Sequence, residues 1–294
     1  MRFAAGRRPV TVITGLTALA AAIALGAPAA GSPATHATTP ARGTTAGATA
    51  AAYRDPPANG RFDYQIGGAY KPLPSVRIVD RDRTSHPAPG VYNICYVNAF
   101  QTQAYQDGWW KKHHPSLLLR RNGTLVEDPG WAGEIILDTS TPAKRHALAR
   151  VIGGWIAGCA KKGFDAVEPD NLDSNTRSHH LLTVADNMDY AALLAKRAHQ
   201  VDLAFAQKND AELAAHWQKK VGFDFAIAEE CQVYSECFHY LKAYGNHVIE
   251  IEYTDNGRKY YNQACAARGS RISIILRDRD VVPRGRKAYV YRAC

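Results

Sequence analysis

Apolar and polar positions alternate in blocks along this chain. From residue 62 onward, short runs rich in Val, Ile, Phe and Tyr fall at 62–66, 76–80, 91–97, 164–168, 202–207, 223–228, 247–252 and 272–276. Runs of this length, bounded by Gly, Pro, Asn or Asp, predict strands. Between them the period changes. Leu148, Val151, Ile152, Trp155, Ile156 and Cys159 recur at helical spacing over 142–159, and Pro142 suits a first helical turn. Helices are expected likewise over 103–112, 185–200, 211–219, 234–244 and 258–267. Eight apolar strands interleaved mainly with helices imply a parallel sheet. Eight such units imply an α/β protein built as a single (β/α)8 TIM barrel. An open doubly wound sheet is the alternative, but no glycine-rich nucleotide fingerprint follows any strand.

The first sixty residues do not share this pattern. Arg2, Arg7 and Arg8 precede an apolar run from Val10 to Ala27 and a small-residue Ala27-Pro28-Ala29 site. That order predicts a cleaved signal peptide over 1–30, with no membrane attachment after cleavage. Residues 31–58 are mostly Ala, Thr, Gly, Pro and Ser, which bury no core and predict a disordered leader. The folded domain is then 59–294, a normal length for one barrel. Export also fits the six cysteines, an even number that predicts disulfides. Fifteen pairings are possible. Cys231 and Cys237 are near enough to staple one loop, Cys265 with Cys294 would pin the C-terminus, and Cys95 with Cys159 remains.

The formal charge of +9 falls to +6 without the three signal-peptide arginines, 33 basic residues against 27 acidic ones. The basic residues are scattered doublets and a C-terminal scatter rather than one stripe, so nucleic acid is not an expected partner. No CxxC pair exists, and the His113-His114 and His179-His180 doublets sit in loops. No metal and no cofactor are expected.

The candidate chemistry lies where strands end, which is where active sites of this fold sit. Asp80, Asn98, Glu168, Asp170, Asp173, Lys208, Asn209, Glu229, Glu230, Glu252 and Tyr253 all fall at or just beyond such ends. The densest stretch is Glu168-Pro-Asp-Asn-Leu-Asp173, where Pro169 should stop the strand and Asn171 stands between acids. Crowded carboxylates shift one another's pKa values, which suits catalysis. Two acids facing each other across a cleft are what glycoside hydrolysis requires, one to protonate the leaving oxygen and one to attack or activate water. Asp170 and Glu229 or Glu230 are placed to do this. If Ala226 and Ala228 face the interior, alternation puts Glu230 inward. Lys208 shares phase with Ala204 and Ala206, points inward and should hold a neighbouring acid ionised. Tyr96, Tyr253, Trp109, Trp110 and Trp131 are candidates for stacking on sugar faces.

Several stretches then combine. Trp131-Ala-Gly-Glu-Ile-Ile-Leu-Asp138, Gly163-Phe-Asp-Ala-Val-Glu-Pro-Asp-Asn-Leu-Asp173, Gln207-Lys-Asn209, Phe223-Asp-Phe-Ala-Ile-Ala-Glu-Glu-Cys231, Tyr234-Ser-Glu-Cys237 and Ile251-Glu-Tyr253 together resemble glycoside hydrolase family 114. These are secreted barrels of the endo-α-1,4-polygalactosaminidase type, and the resemblance spans about 62–256. It implies cleavage of α-1,4-linked galactosamine polymers by an Asp/Glu pair, Asp170 as nucleophile or base and Glu229 as general acid. Asp80, Tyr96, Glu168, Asn171, Asp173, Lys208, Glu230, Glu252 and Tyr253 are then expected to line the substrate site of a monomeric enzyme. A non-catalytic carbohydrate-binding barrel, or a glycosidase of another amino-sugar or uronate polymer, is the alternative.

Overall fold

A computed structural model describes residues 53–294. The expected signal peptide and most of the expected leader lie outside the described residues. The last six leader residues, 53–58, are packed on the barrel. Tyr53 stacks on His199 at 4.4 Å between ring centroids, and the Tyr92 hydroxyl donates to the Arg54 carbonyl at 2.7 Å.

Eight strands run parallel in chain order: β1 (Phe62–Tyr64), β2 (Ile78–Asp82), β3 (Tyr92–Asn98), β4 (Ala166–Asp170), β5 (Ala204–Lys208), β6 (Phe225–Glu229), β7 (Val248–Tyr253) and β8 (Ser273–Arg277). The helices follow as α1 (Asp107–His113), α2 (Pro142–Lys162), α3 (Val184–His199), α4 (Ala214–Val221), α5 (Cys237–Tyr244) and α6 (Arg258–Arg268). This is the (β/α)8 barrel that the pattern predicts. A final strand, β9 (Tyr291–Ala293), pairs antiparallel with β8. Side chains join β8 to β1: Ser273 donates to the Gly60 carbonyl at 2.6 Å, and buried Arg277 donates to the Tyr64 carbonyl. A two-by-two-residue hairpin, 120–121 with 124–125, sits in the long excursion between β3 and α2.

All strands but β1 begin one or two residues later than their apolar runs, because those runs open in the approach to the sheet. The shift matters at β4. Pro169 lies inside the strand instead of ending it, and Glu168 and Asp170 are strand residues. The ladder from β4 to β5 ends at Val167 and Phe205, so a residue lacking an N–H is tolerated two positions on.

Apolar residues divide between two layers. Phe62, Ile78, Ile94, Ala166, Ala204, Phe225, Ile227, Ile249, Ile251 and Ile275 fill the barrel interior. Leu148, Ile152, Leu194, Ala226, Ala228 and Leu276 belong to the outer layer beneath the helices. The supposed phase of β6 is therefore reversed: Phe225 and Ile227 fill the barrel, while the small Ala226 and Ala228 let helices approach. Helix α2 starts at Thr141, whose hydroxyl accepts from Lys144 N–H, and ends at left-handed Gly163. Disulfides join Cys95–Cys159, Cys231–Cys237 and Cys265–Cys294. The first ties β3 to the end of α2.

Candidate active site

Alternation decides which side chains enter the mouth. Asp80 shares phase with Ile78, Tyr96 with Ile94, Glu168 and Asp170 with Ala166, Lys208 with Ala206, Glu229 with Ile227, and Tyr253 with Ile251, all interior positions. Glu229, not Glu230, is thus the inward residue of β6.

These groups converge on one ammonium. Lys208 Nζ, from β5, lies 2.8 Å from Glu168 Oε1, 3.1 Å from Asp170 Oδ1 and 3.4 Å from Glu229 Oε2. The Tyr64 hydroxyl donates to Glu168 Oε1 at 3.1 Å and lies 3.3 Å from Nζ. Each outer acid has its own tyrosine. Tyr96 donates to Asp170 Oδ2 at 2.7 Å, and Tyr253 donates to Glu229 Oε1. Asn209 clamps Glu229 from both sides, donating to Oε2 at 2.9 Å and accepting from its backbone N–H at 2.8 Å.

Exposure separates the acids. The Lys208 and Glu168 side chains are buried at 2% and 0%, whereas Asp170 and Glu229 keep 19% and 23% of their side-chain surface. Only the latter two of Lys208's acids can meet a substrate.

The electrostatics follow this layering. Burial raises the Asp170 pKa, but the Lys208 charge and hydrogen bonds from Tyr96, Lys208 and the Asn171 backbone outweigh it, so the carboxyl titrates below its ordinary value. Burial likewise disfavours charged Lys208, yet Asp170, Glu168 and Glu229 hold its pKa well above normal. Asp80 is wholly buried, and neither of its oxygens has a donor among the described residues. Burial and then the neighbouring Glu168 charge push its pKa well up. Burial raises the Glu168 pKa too, against the opposing Lys208 charge, so the two buried carboxyls favour holding a proton between them.

The remaining sequence-based candidates are spread around the rim. Asn171, left-handed at φ 68°, donates to Asn98 Oδ1 at 2.9 Å. Asp173 pairs with Arg177 at 2.8 Å, and Arg177 also reaches Asp128 at 2.5 Å. Glu230, left-handed at φ 61°, is held by Asn256 and Arg279. Glu252 is the residue the mouth does not include. It shares phase with Glu250, on the helix side of β7, where it accepts from Gln232 N–H at 3.0 Å. Burial, above other causes, raises its pKa to about 8.

Of the stacking candidates, Trp110 is fully buried, whereas Trp109 and Trp131 are exposed. Sequence reasoning assigned no role to Tyr64 or to Glu134, although Glu134 lies within the Trp131–Asp138 stretch; Asn98 stood out only as a polar strand end, and Asn209 as that and as part of Gln207-Lys-Asn209. Glu134 lies in the excursion after β3. Its Oε2 accepts from Asn98 and Gln101, each at 3.0 Å, and burial raises its pKa. Asn98 ends β3 and Asn209 follows β5, so strand-end position was a usable signal for them. Tyr64 gave none, because nothing nearby in sequence marks its partners.

The site is thus two solvent-reaching carboxylates about one buried lysine at the C-terminal rim of a parallel barrel, where active sites of this fold sit. The chain belongs to glycoside hydrolase family GH114, whose model matches residues 43–294, and it is a glycoside hydrolase. The match extends beyond 62–256 at both ends. Among solved structures, the chain is similar to Aspergillus fumigatus Ega3 in complex with galactosamine, at 21% identity and a TM-score of 0.66, over 84% of this chain and 100% of that one. It is also similar to the glycoside hydrolase domain of PelA from Pseudomonas aeruginosa, at 14% identity and a TM-score of 0.52, over 77% of this chain and 96% of that one. No curated protein matches the sequence.

Proposed function

We propose that this protein is a secreted, endo-acting glycosidase of α-1,4-linked galactosamine-containing polysaccharide, with Asp170 as nucleophile and Glu229 as general acid and then base. One observation carries the reading: Lys208 Nζ contacts both solvent-reaching carboxylates. Their contacted oxygens are therefore at most about 6.5 Å apart, the 3.1 and 3.4 Å contacts laid end to end. A retaining pair stands roughly 5–5.5 Å apart and an inverting pair roughly 6.5–9.5 Å. The bound favours double displacement.

In the first step an Asp170 oxygen bonds the anomeric carbon while Glu229 gives its proton to the departing glycosidic oxygen. In the second, Glu229 takes a proton from water, whose oxygen bonds the same carbon and releases Asp170. The lowered pKa of Asp170 keeps the nucleophile ionised. Tyr96 orients Asp170, while Tyr253 and Asn209 orient Glu229. Glu168, Lys208 and Asp80 form the support beneath them. Asn171, Asp173 and Glu230 extend the polar rim along which further sugar residues would lie.

The galactosamine bound by Ega3 supports an amino-sugar substrate, and close carboxylates suit its ammonium groups despite the positive net charge. Distant charges are screened beyond roughly 8–10 Å. The three disulfides support export into an oxidising compartment. Reducing-end release from deacetylated galactosamine polymer tests the assignment. Asp170→Asn and Glu229→Gln should each lose at least about 10³-fold in kcat while melting near the wild-type temperature. Wild-type rates in both variants contradict it.

A further inference from the structure

The excursion between β3 and α2 carries a second group of aromatic and acidic side chains, linked to the mouth through Asn98 but outside the pair. Residues 131–134 form a turn closed by Glu134 N–H donating to the Trp131 carbonyl at 3.0 Å, and Trp131 N–H donates to the Asp128 carbonyl at 3.2 Å. Trp131, at one end of this turn, is 57% exposed, so its ring face is available to a ligand. Glu134, at the other end, is half-buried against β3. Both of its amide donors, Asn98 and Gln101, reach Oε2, and Oε1 accepts no hydrogen bond among the described residues. No cation pairs with this carboxylate there either, although every mouth acid around Lys208 has one.

The turn is fixed in place. Gly133 adopts φ +82°, a conformation that disfavours other residues, and a Cβ there would stand 3.4 Å from the Ala104 Cβ. Next to Ala104 is Tyr105, 67% exposed, with its hydroxyl held by Gln103 at 2.9 Å and Gln106 at 3.0 Å. Gln103 in turn donates to Asp82, the last residue of β2, at 3.1 Å. On the other side, Arg177 ties Asp128 to Asp173 beyond β4. The turn is also coupled to the catalytic strand: Asn98 donates to Glu134 and accepts from Asn171, the neighbour of Asp170.

We infer that Trp131, Tyr105 and Glu134 form a subsite for one protonated 2-amino-hexose residue of the polymer, with the aromatic rings against the sugar faces and Glu134 Oε1 accepting from the ammonium. The inference rests on the substrate class proposed above and adds to it the groups that distinguish a free amine from an N-acetyl group. Aromatic faces take a sugar of either kind. A carboxylate with an open oxygen and no cation favours the charged one. An N-acetyl group brings only a neutral amide and extra bulk to the same place.

The test measures kcat and KM for the full chain and for Glu134→Gln and Trp131→Ala, on deacetylated and N-acetylated α-1,4-galactosamine oligomers at two salt concentrations. Wild type should prefer the deacetylated oligomers. Glu134→Gln should raise KM on them about tenfold, the loss of one charge-assisted hydrogen bond, and weaken both the preference and the salt dependence of KM. Trp131→Ala should raise KM on both oligomers by a similar factor and keep the preference. If Glu134→Gln retains the wild-type preference, or loses kcat alone, the subsite is contradicted while the substrate reading stands. A wild type that cleaves neither oligomer overturns both.

Discussion

Lys208 is the residue on which the mouth depends. It is buried, and three carboxylates lie within 3.4 Å of its nitrogen. Removing one partner of such a cluster strands buried charge, at about 3–5 kcal/mol. Lys208→Met should therefore lose that much stability at pH 7 in guanidinium unfolding. The pH dependence has a definite sign. Asp170 has a lowered pKa in the folded state, so its contribution is present above the unfolded value and is lost as pH falls through the folded one. Without Lys208 the stranded acids bind protons more readily, and the deficit of the variant should shrink near pH 4. An equal deficit at both pH values would contradict the cluster. Glu252 has the opposite sign. Its folded pKa, raised to about 8, means that stability falls as pH rises from the ordinary carboxylate range towards 8. Glu252→Gln should match wild type near pH 5 and exceed it near pH 9 by on the order of 2–3 kcal/mol. A flat difference between the two pH values would dismiss this account.

At the scale of elements, the disulfides differ in what they constrain. Cys95–Cys159 spans 64 positions and links a barrel strand to its covering helix, whereas Cys231–Cys237 spans 6. Loop-closure entropy gives about 4 kcal/mol for the first and about 2 kcal/mol for the second. Pairwise Cys→Ala variants compared by denaturant midpoint should show that order; the reverse order would refute it. The same scale shows what the sequence disclosed. Eight apolar runs located eight strands, because a parallel strand buried on both faces must be apolar throughout. That property also concealed the phase. In Phe225-Ala-Ile-Ala228 either set of alternate residues is apolar, so nothing local chose Glu229 over Glu230. The resemblance in motif chose it, and bulk filling the barrel explains it. At β4, Pro169 signalled an end where the ladder to β5 had already parted. Lys208 was legible because Ala204 and Ala206 have a single small-residue phase. Glu134 was not, since its partners Asn98 and Gln101 lie more than thirty positions away.

For the whole molecule, the barrel brings residues from β3 to β7 to one rim while burying the lysine that links them. Fold and family make it a glycoside hydrolase; the division of labour between Asp170 and Glu229 is the central claim. Azide rescue tests that division most directly, with the anomeric configuration of the products read by NMR. Wild type should yield product with the configuration of the substrate. Azide should restore turnover to Asp170→Ala with the opposite configuration, because the small anion attacks in place of the missing nucleophile. It should restore Glu229→Ala with the original configuration, by intercepting the intermediate on Asp170. An exchanged pattern, or inverted product from wild type, would contradict the assignment.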